Sequence, residues 1–132
     1  MRAHELLNKP YQVIDADTVK LNGKTFVKHR VERNDPLVLL SADFMNQYWR
    51  GEMLVGPAPE YQNQISNRIE TFKKFFDEND NIEIANVHVR RNGAISFGDG
   101  RHRTRVMLEL GFKQIPVTMS KEALQNLREF TK

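Results

Sequence analysis

The sequence predicts a compact α+β domain in which helices pack on a mixed sheet, and three observations predict it. Val/Thr-rich runs flank Asn22-Gly23, apolar residues recur at helical spacing between positions 65 and 76, and a strand–turn–helix–strand pattern fills residues 95–119. Hairpins followed by a βαβ-like unit are the expected order for that class.

Taken in order, residues 1–35 read as a β-rich lead-in. Residues 17–21 and 24–29 face each other across Asn22-Gly23, a dipeptide in which both positions tolerate positive φ. Residues 37–40, Leu-Val-Leu-Leu, form a short apolar run suited to a buried strand. Ser41 then offers an N-cap for a helix from Ala42 to about Trp49. Two glycines and two prolines in residues 50–60 predict a surface loop, the best place for a lid. Ile65, Ile69, Phe72 and Phe76 then define an apolar helical stripe, with Arg68, Lys73 and Lys74 off it. Asn79-Asp-Asn81 ends that helix.

Residues 82–90 read as one strand, with Val87 and Val89 on one face and His88 on the other. Asn92-Gly93 predicts a second hairpin turn, with residues 94–97 as the return strand. A helix from about Arg101 stops at Gly111, a favourable residue just past a helix end. Residues 112–119 read as a strand in which Pro116 suggests an edge or a strand end. Ser120 caps a last helix with Leu124 and Leu127 inward.

The length, 132 residues, fits one domain with one core. The absence of cysteine excludes a disulfide framework, thiolate zinc and a cysteine nucleophile, and it suits a reducing compartment. No apolar run reaches the length of a membrane span, and the first residues lack a signal-peptide core. A cytoplasmic location without membrane association is the expectation. The net charge of +3 is mild but unevenly placed: residues 88–105 hold five Arg and two His against one Asp.

Candidate chemistry concentrates at Gly98-Asp-Gly-Arg-His-Arg103. A glycine turn feeding a helix presents free backbone N–H groups at the positive helix end, which is an anion-binding arrangement. Basic side chains there oppose the macrodipole and call for a compensating anion. Gly98, Gly100, Arg101, His102 and Arg103 are therefore the candidate phosphate- or nucleotide-binding residues. On the helix, Arg103, Met107 and Leu110 share a face, whereas Arg101 and Arg105 project elsewhere. Asp99 is expected either to cap the helix or to hold a metal ion beside the phosphate. His88, Arg90, Arg91, Arg101 and Arg105 make a candidate nucleic-acid surface. The histidines have no metal-ligand spacing, no Gly-X-X-X-X-Gly-Lys-Ser/Thr loop is present, and Trp49 is expected to pack in the core rather than stack a base.

The box Ile95-Ser-Phe-Gly-Asp-Gly-Arg-His-Arg103, a helix ending Glu-Leu-Gly-Phe112, and Ile115-Pro-Val117 together resemble the signature of the ParB/sulfiredoxin superfamily. The resemblance is strongest to small ParB-like nuclease-domain proteins of phages and plasmids and covers about residues 60–120. Residues 1–59 match no named pattern. A single ParB/sulfiredoxin-like domain over 1–132 follows as an expectation. Sulfiredoxins use Gly-Gly-Cys-His-Arg; here Arg101 occupies the cysteine position, which excludes sulfinic-acid reduction. Chromosome-partitioning members use Gly-Glu-Arg-Arg-X-Arg to hold CTP, and Arg101 replaces that glutamate. Free-serine kinases use Asp-Gly-His-His-Arg, which Asp99, Gly100, His102 and Arg103 fit, with an upstream glutamate that the sequence leaves unassigned.

The resemblance implies a nucleoside triphosphate, ATP or CTP, as ligand, with Mg²⁺ held by Asp99. His102 and Asp99 would be the catalytic pair of a nucleotide phosphohydrolase or nuclease, with DNA as a partner. The alternative is a non-catalytic inhibitor or binding module of a phage or plasmid that engages nucleic acid or a host protein. A second carboxylate against Asp99, from Glu52, Glu60 or Glu83, would favour catalysis; none would favour binding.

Overall fold

The computed structural model describes residues 9–49 and 70–132, an α+β fold built on two sheets. The strands are β1 (Tyr11–Ile14), β2 (Thr18–Leu21), β3 (Lys24–Val27), β4 (Leu37–Ser41), β5 (Asn81–Glu83), β6 (Ala85–Val89), β7 (Ile95–Asp99) and β8 (Gln114–Thr118). The helices are α1 (Ala42–Tyr48), α2 (its described part residues 70–78), α3 (Arg101–Glu109) and α4 (Lys121–Phe130). A 3-10 turn covers Arg30–Glu32. No helix among the described residues is long and apolar enough to cross a membrane.

The larger sheet runs β1-β4-β8-β6-β7, antiparallel throughout except for the β8–β6 pair, and the smaller runs β2-β3-β5. Leu37–Leu40 of β4 and Ile115–Thr118 of β8 are buried without interruption. That is the signature of central strands covered on both faces. One aromatic cluster joins Phe26 of β3, Phe76 of α2 and Phe112, with ring centroids 5.8–6.4 Å apart. A second joins Phe44 and Tyr48 of α1 to Phe130 of α4, at 4.5–6.3 Å.

Local signals were largely decisive. Asn22 (φ 51°) and Gly23 (φ 80°) form the tight turn between β2 and β3. Ser41 and Ser120 accept from the backbone N–H groups of Phe44 and Ala123, capping α1 and α4, and Leu124 and Leu127 are buried. Gly111 sits just past the end of α3.

Three expectations are corrected. Residues 82–90 are two strands in different sheets: Ile82 pairs with Phe26, whereas Ala85 and Asn86 pair with Val117 and Thr118. Ile84 marks the changeover, its N–H donating to the Val27 carbonyl. The return strand is Ile95–Asp99 rather than 94–97. Pro116 lies in a central strand, because the β6 ladder begins only at Val117 and leaves Pro116 paired with Leu39 of β4 alone. Leu110 is 49% exposed, since α3 ends one residue before it and the helical face does not continue. The predicted loop at 50–60, Ile65, Ile69 and Arg68 lie outside the described residues.

Candidate functional site

The site grows from the junction of β7 and α3. Asn86 of β6 pairs with Asp99 and Val87 with Phe97, so Gly98 is an extra residue in β7, a bulge. Bulges re-aim the residues that follow them and recur beside binding sites. Behind the bulge, Asn86 Nδ2 donates to Thr118 Oγ1 at 3.0 Å, which ties β6 to β8 and fixes the floor.

Gly100 follows in the left-handed region (φ 89°) and is the N-cap of α3, with no side-chain capping bond. A Cβ there would lie 2.5 Å from Ala85 Cβ and 2.8 Å from Arg103 Nη2. Only glycine meets both the dihedral and the space. Thr104 N–H donates to the Gly100 carbonyl at 3.0 Å, and buried Thr104 Oγ1 donates to the same oxygen. The first-turn N–H groups of Arg101, His102 and Arg103 precede the first intrahelical bond and face the positive helix end.

Asp99 is therefore not the helix cap. Its Oδ2 accepts from Arg103 Nη2 at 3.0 Å, with Asp99 59% and Arg103 19% exposed at the side chain. The expected cap fails because a left-handed glycine occupies the cap position and turns the carboxylate one residue too early. Arg103 is sheltered, as its helical position predicted, and its Nε is buried without a partner among the described residues.

Two recesses share the turn. A cleft of about 550 Å³ has Thr71, Phe72 and Phe75 of α2 on one wall and Asp99, Gly100, His102 and Arg103 on the other. A smaller recess of about 210 Å³ is lined by Phe97 to His102. Gly98, Arg101, Asp99, Gly100 and His102 thus meet in the small recess, and the last three also border the large one with Arg103. The α2 wall is held to α3 by Lys73, 3.2 Å from Glu109, which in turn lies 3.5 Å from Arg105 Nε. The Glu109 hydrogen bond and charge raise the Lys73 ammonium above the ordinary lysine pKa.

The candidate nucleic-acid residues do not form one patch. Arg90 and Arg91 are exposed at the hairpin end of β6–β7, and Arg101 lies at the other end. Five strand residues separate the two ends, roughly 16 Å at about 3.3 Å each. Arg105 is occupied by Glu109. His88 is exposed on β6, and Trp49 packs against the core with its ring 4.6 Å from that of Phe97, tilted by 54°.

Among the described residues no three His, Asp or Glu side chains are grouped as a metal site. Glu83 stands on β5 beside His29 (3.7 Å) and lines neither recess that Asp99 borders; Glu52, Glu60 and His4 lie outside the described residues. The sequence reading missed Phe72 and Phe75 as site residues, because Phe72 was assigned wholly to the core stripe. Comparison with family models, curated proteins and solved structures returns no match.

Proposed function

We propose that this chain binds the phosphate of a nucleotide at Gly98–Arg103, as the ParB/sulfiredoxin resemblance implies. One observation carries the reading: Gly100, left-handed and too crowded for a side chain, opens a nine-residue helix whose first N–H groups border a cleft together with His102 and Arg103. Backbone dipoles and a guanidinium converge there, and both favour a phosphate oxygen. The residues fit a nucleoside triphosphate.

They do not by themselves build a Mg²⁺ site. Asp99 is the one acidic group lining the described cleft, and its carboxylate already accepts from Arg103. Of the carboxylates that would favour catalysis, Glu52 and Glu60 lie outside the described residues, so no hydrolytic step is assigned to Asp99 or His102 and the proposed role is binding. A phage or plasmid inhibitor that senses a nucleotide is consistent with that chemistry.

Calorimetric titration with ATP tests the reading. Arg103→Ala is expected to weaken binding by about 1.5–3 kcal/mol, the size of a charge-assisted hydrogen bond. Arg105→Ala, already paired with Glu109, is expected to cost under about 0.5 kcal/mol. Equal losses, or no binding by the wild type, would overturn it.

A further inference from the structure

Phe75 lies outside the buried core of the described residues. It follows Phe72 by three residues and precedes the core residue Phe76, from which it is rotated by about 100° on the helix. Phe76 is 4% exposed and Phe75 46%. An exposed phenylalanine forgoes the stabilisation of burial. Its ring lies 5.6 Å from that of Phe72, tilted 36°, so the two make a continuous aromatic wall. That wall faces the same 550 Å³ cleft that Gly100, His102 and Arg103 border. The volume falls within the range of small-molecule sites, about 300–1,000 Å³.

We infer that the cleft takes a free mononucleotide whose base lies against Phe75, which makes Phe75 the residue that distinguishes a nucleotide from other phosphate compounds. The inference rests on the phosphate reading above and adds the ligand's second half. Inorganic phosphate or a phosphorylated side chain would leave the aromatic wall uncovered. A nucleic-acid strand would want a continuous basic track, whereas Arg90 and Arg91 stand a β-ladder away from Arg101. A mononucleotide presents one flat π face and one anionic tail, as the two walls require. Among the described lining residues of the α2 wall only Thr71 offers a polar group to the base edge. Recognition is therefore by the face of the base, with weak discrimination among bases.

The experiment compares ATP with inorganic tripolyphosphate, which has a similar anionic tail and no base, on wild type, Phe75→Leu and Phe75→Trp. Wild type is expected to bind ATP at least about tenfold more tightly than tripolyphosphate, the size of one base stacked on an aromatic side chain. Phe75→Leu should bring ATP down to the tripolyphosphate level without changing tripolyphosphate binding, and Phe75→Trp should restore the preference. Thermal melts should be close to wild type for both variants, since the ring is half exposed. Equal affinities for ATP and tripolyphosphate in wild type would overturn this inference and leave the phosphate reading standing. Failure of both to bind would sink both. An unphosphorylated single-stranded oligonucleotide that binds more tightly than ATP and weakens with Phe75→Leu would assign the wall to nucleic acid and overturn the mononucleotide.

Discussion

Asp99 Oδ2 and Arg103 Nη2 lie 3.0 Å apart, one helical turn apart in sequence, so the carboxylate holds the guanidinium that a phosphate would want. A phosphate entering the cleft competes with Asp99 for Arg103 and is repelled by the same carboxylate. Two unit charges 4 Å apart interact by about 1 kcal/mol in water and about 4 kcal/mol at an effective dielectric of 20. Asp99→Asn is therefore expected to tighten binding of metal-free ATP, by about fivefold or more, when titrated in EDTA. Weaker binding in that variant would show that Asp99 contributes to the ligand site instead.

The same pair makes a stability prediction. Because Gly100 is the cap, Asp99→Ala and Asp99→Asn should lose only an exposed ion pair, about 1 kcal/mol or less, and should agree within about 0.5 kcal/mol in urea denaturation. A larger loss for alanine alone would restore the capping role.

Gly100 and Gly23 both have positive φ but differ in surroundings. A Cβ at Gly23 meets nothing within 4 Å, whereas at Gly100 it meets Ala85 Cβ at 2.5 Å. Gly23→Ala should cost about 1–2 kcal/mol from the dihedral alone. Gly100→Ala should cost a further 1–3 kcal/mol, roughly, for overpacking against Ala85. Adding Ala85→Gly should recover part of the second cost and none of the first. Equal melting temperatures for the two single variants would refute the steric account.

Short-range signals explain what was legible in the sequence. Asn22-Gly23, the serine caps and the Gly98–Arg103 turn each depend on a few adjacent residues, and each lies where the pattern put it. What was missed depends on distant partners. Residues 82–89 look like one apolar strand, and only β3 and β8 divide them between two sheets. Pro116 reads as an edge residue until the late start of the β6 ladder is known. Phe75 breaks the helical period, so periodicity discards it, although a cleft can make use of it. Asp99 resembles a cap because aspartate so often is one, and only the left-handed Gly100 shows which residue caps.

Lys73 gives a pH dependence. Its hydrogen bond and charge pairing with Glu109 raise its pKa above the ordinary 10.5, with Glu70 at 3.6 Å adding to the effect. A raised folded pKa means that the stabilisation is fully present below about pH 10.5 and is lost as pH rises through the folded value. The melting-temperature difference between wild type and Lys73→Met should therefore be small but constant through neutral pH and should fade only as pH rises from about 10.5 through the raised folded value. A difference that persists at higher pH would trace the tie between α2 and α3 to packing of the lysine stem instead.

The division of the basic residues into two groups lets the proposed nucleotide site be tested separately from any nucleic-acid surface. If the protein contacts DNA through its hairpin end, Arg90 and Arg91 are exposed and contribute to the electrostatic term, while Arg105 is neutralised by Glu109. Each phosphate neutralised adds about −0.9 to the slope of log K against log salt. Replacing both Arg90 and Arg91 by glutamine should then make the slope shallower by up to about 1.8 and leave ATP affinity unchanged, because the turn lies roughly 16 Å away along β7. Arg101→Gln should do the reverse, weakening ATP with little effect on the slope. A flat wild-type slope would remove DNA from the list of partners. A loss of ATP affinity in the hairpin variant would show that the two ends of the β6–β7 ladder act as one site.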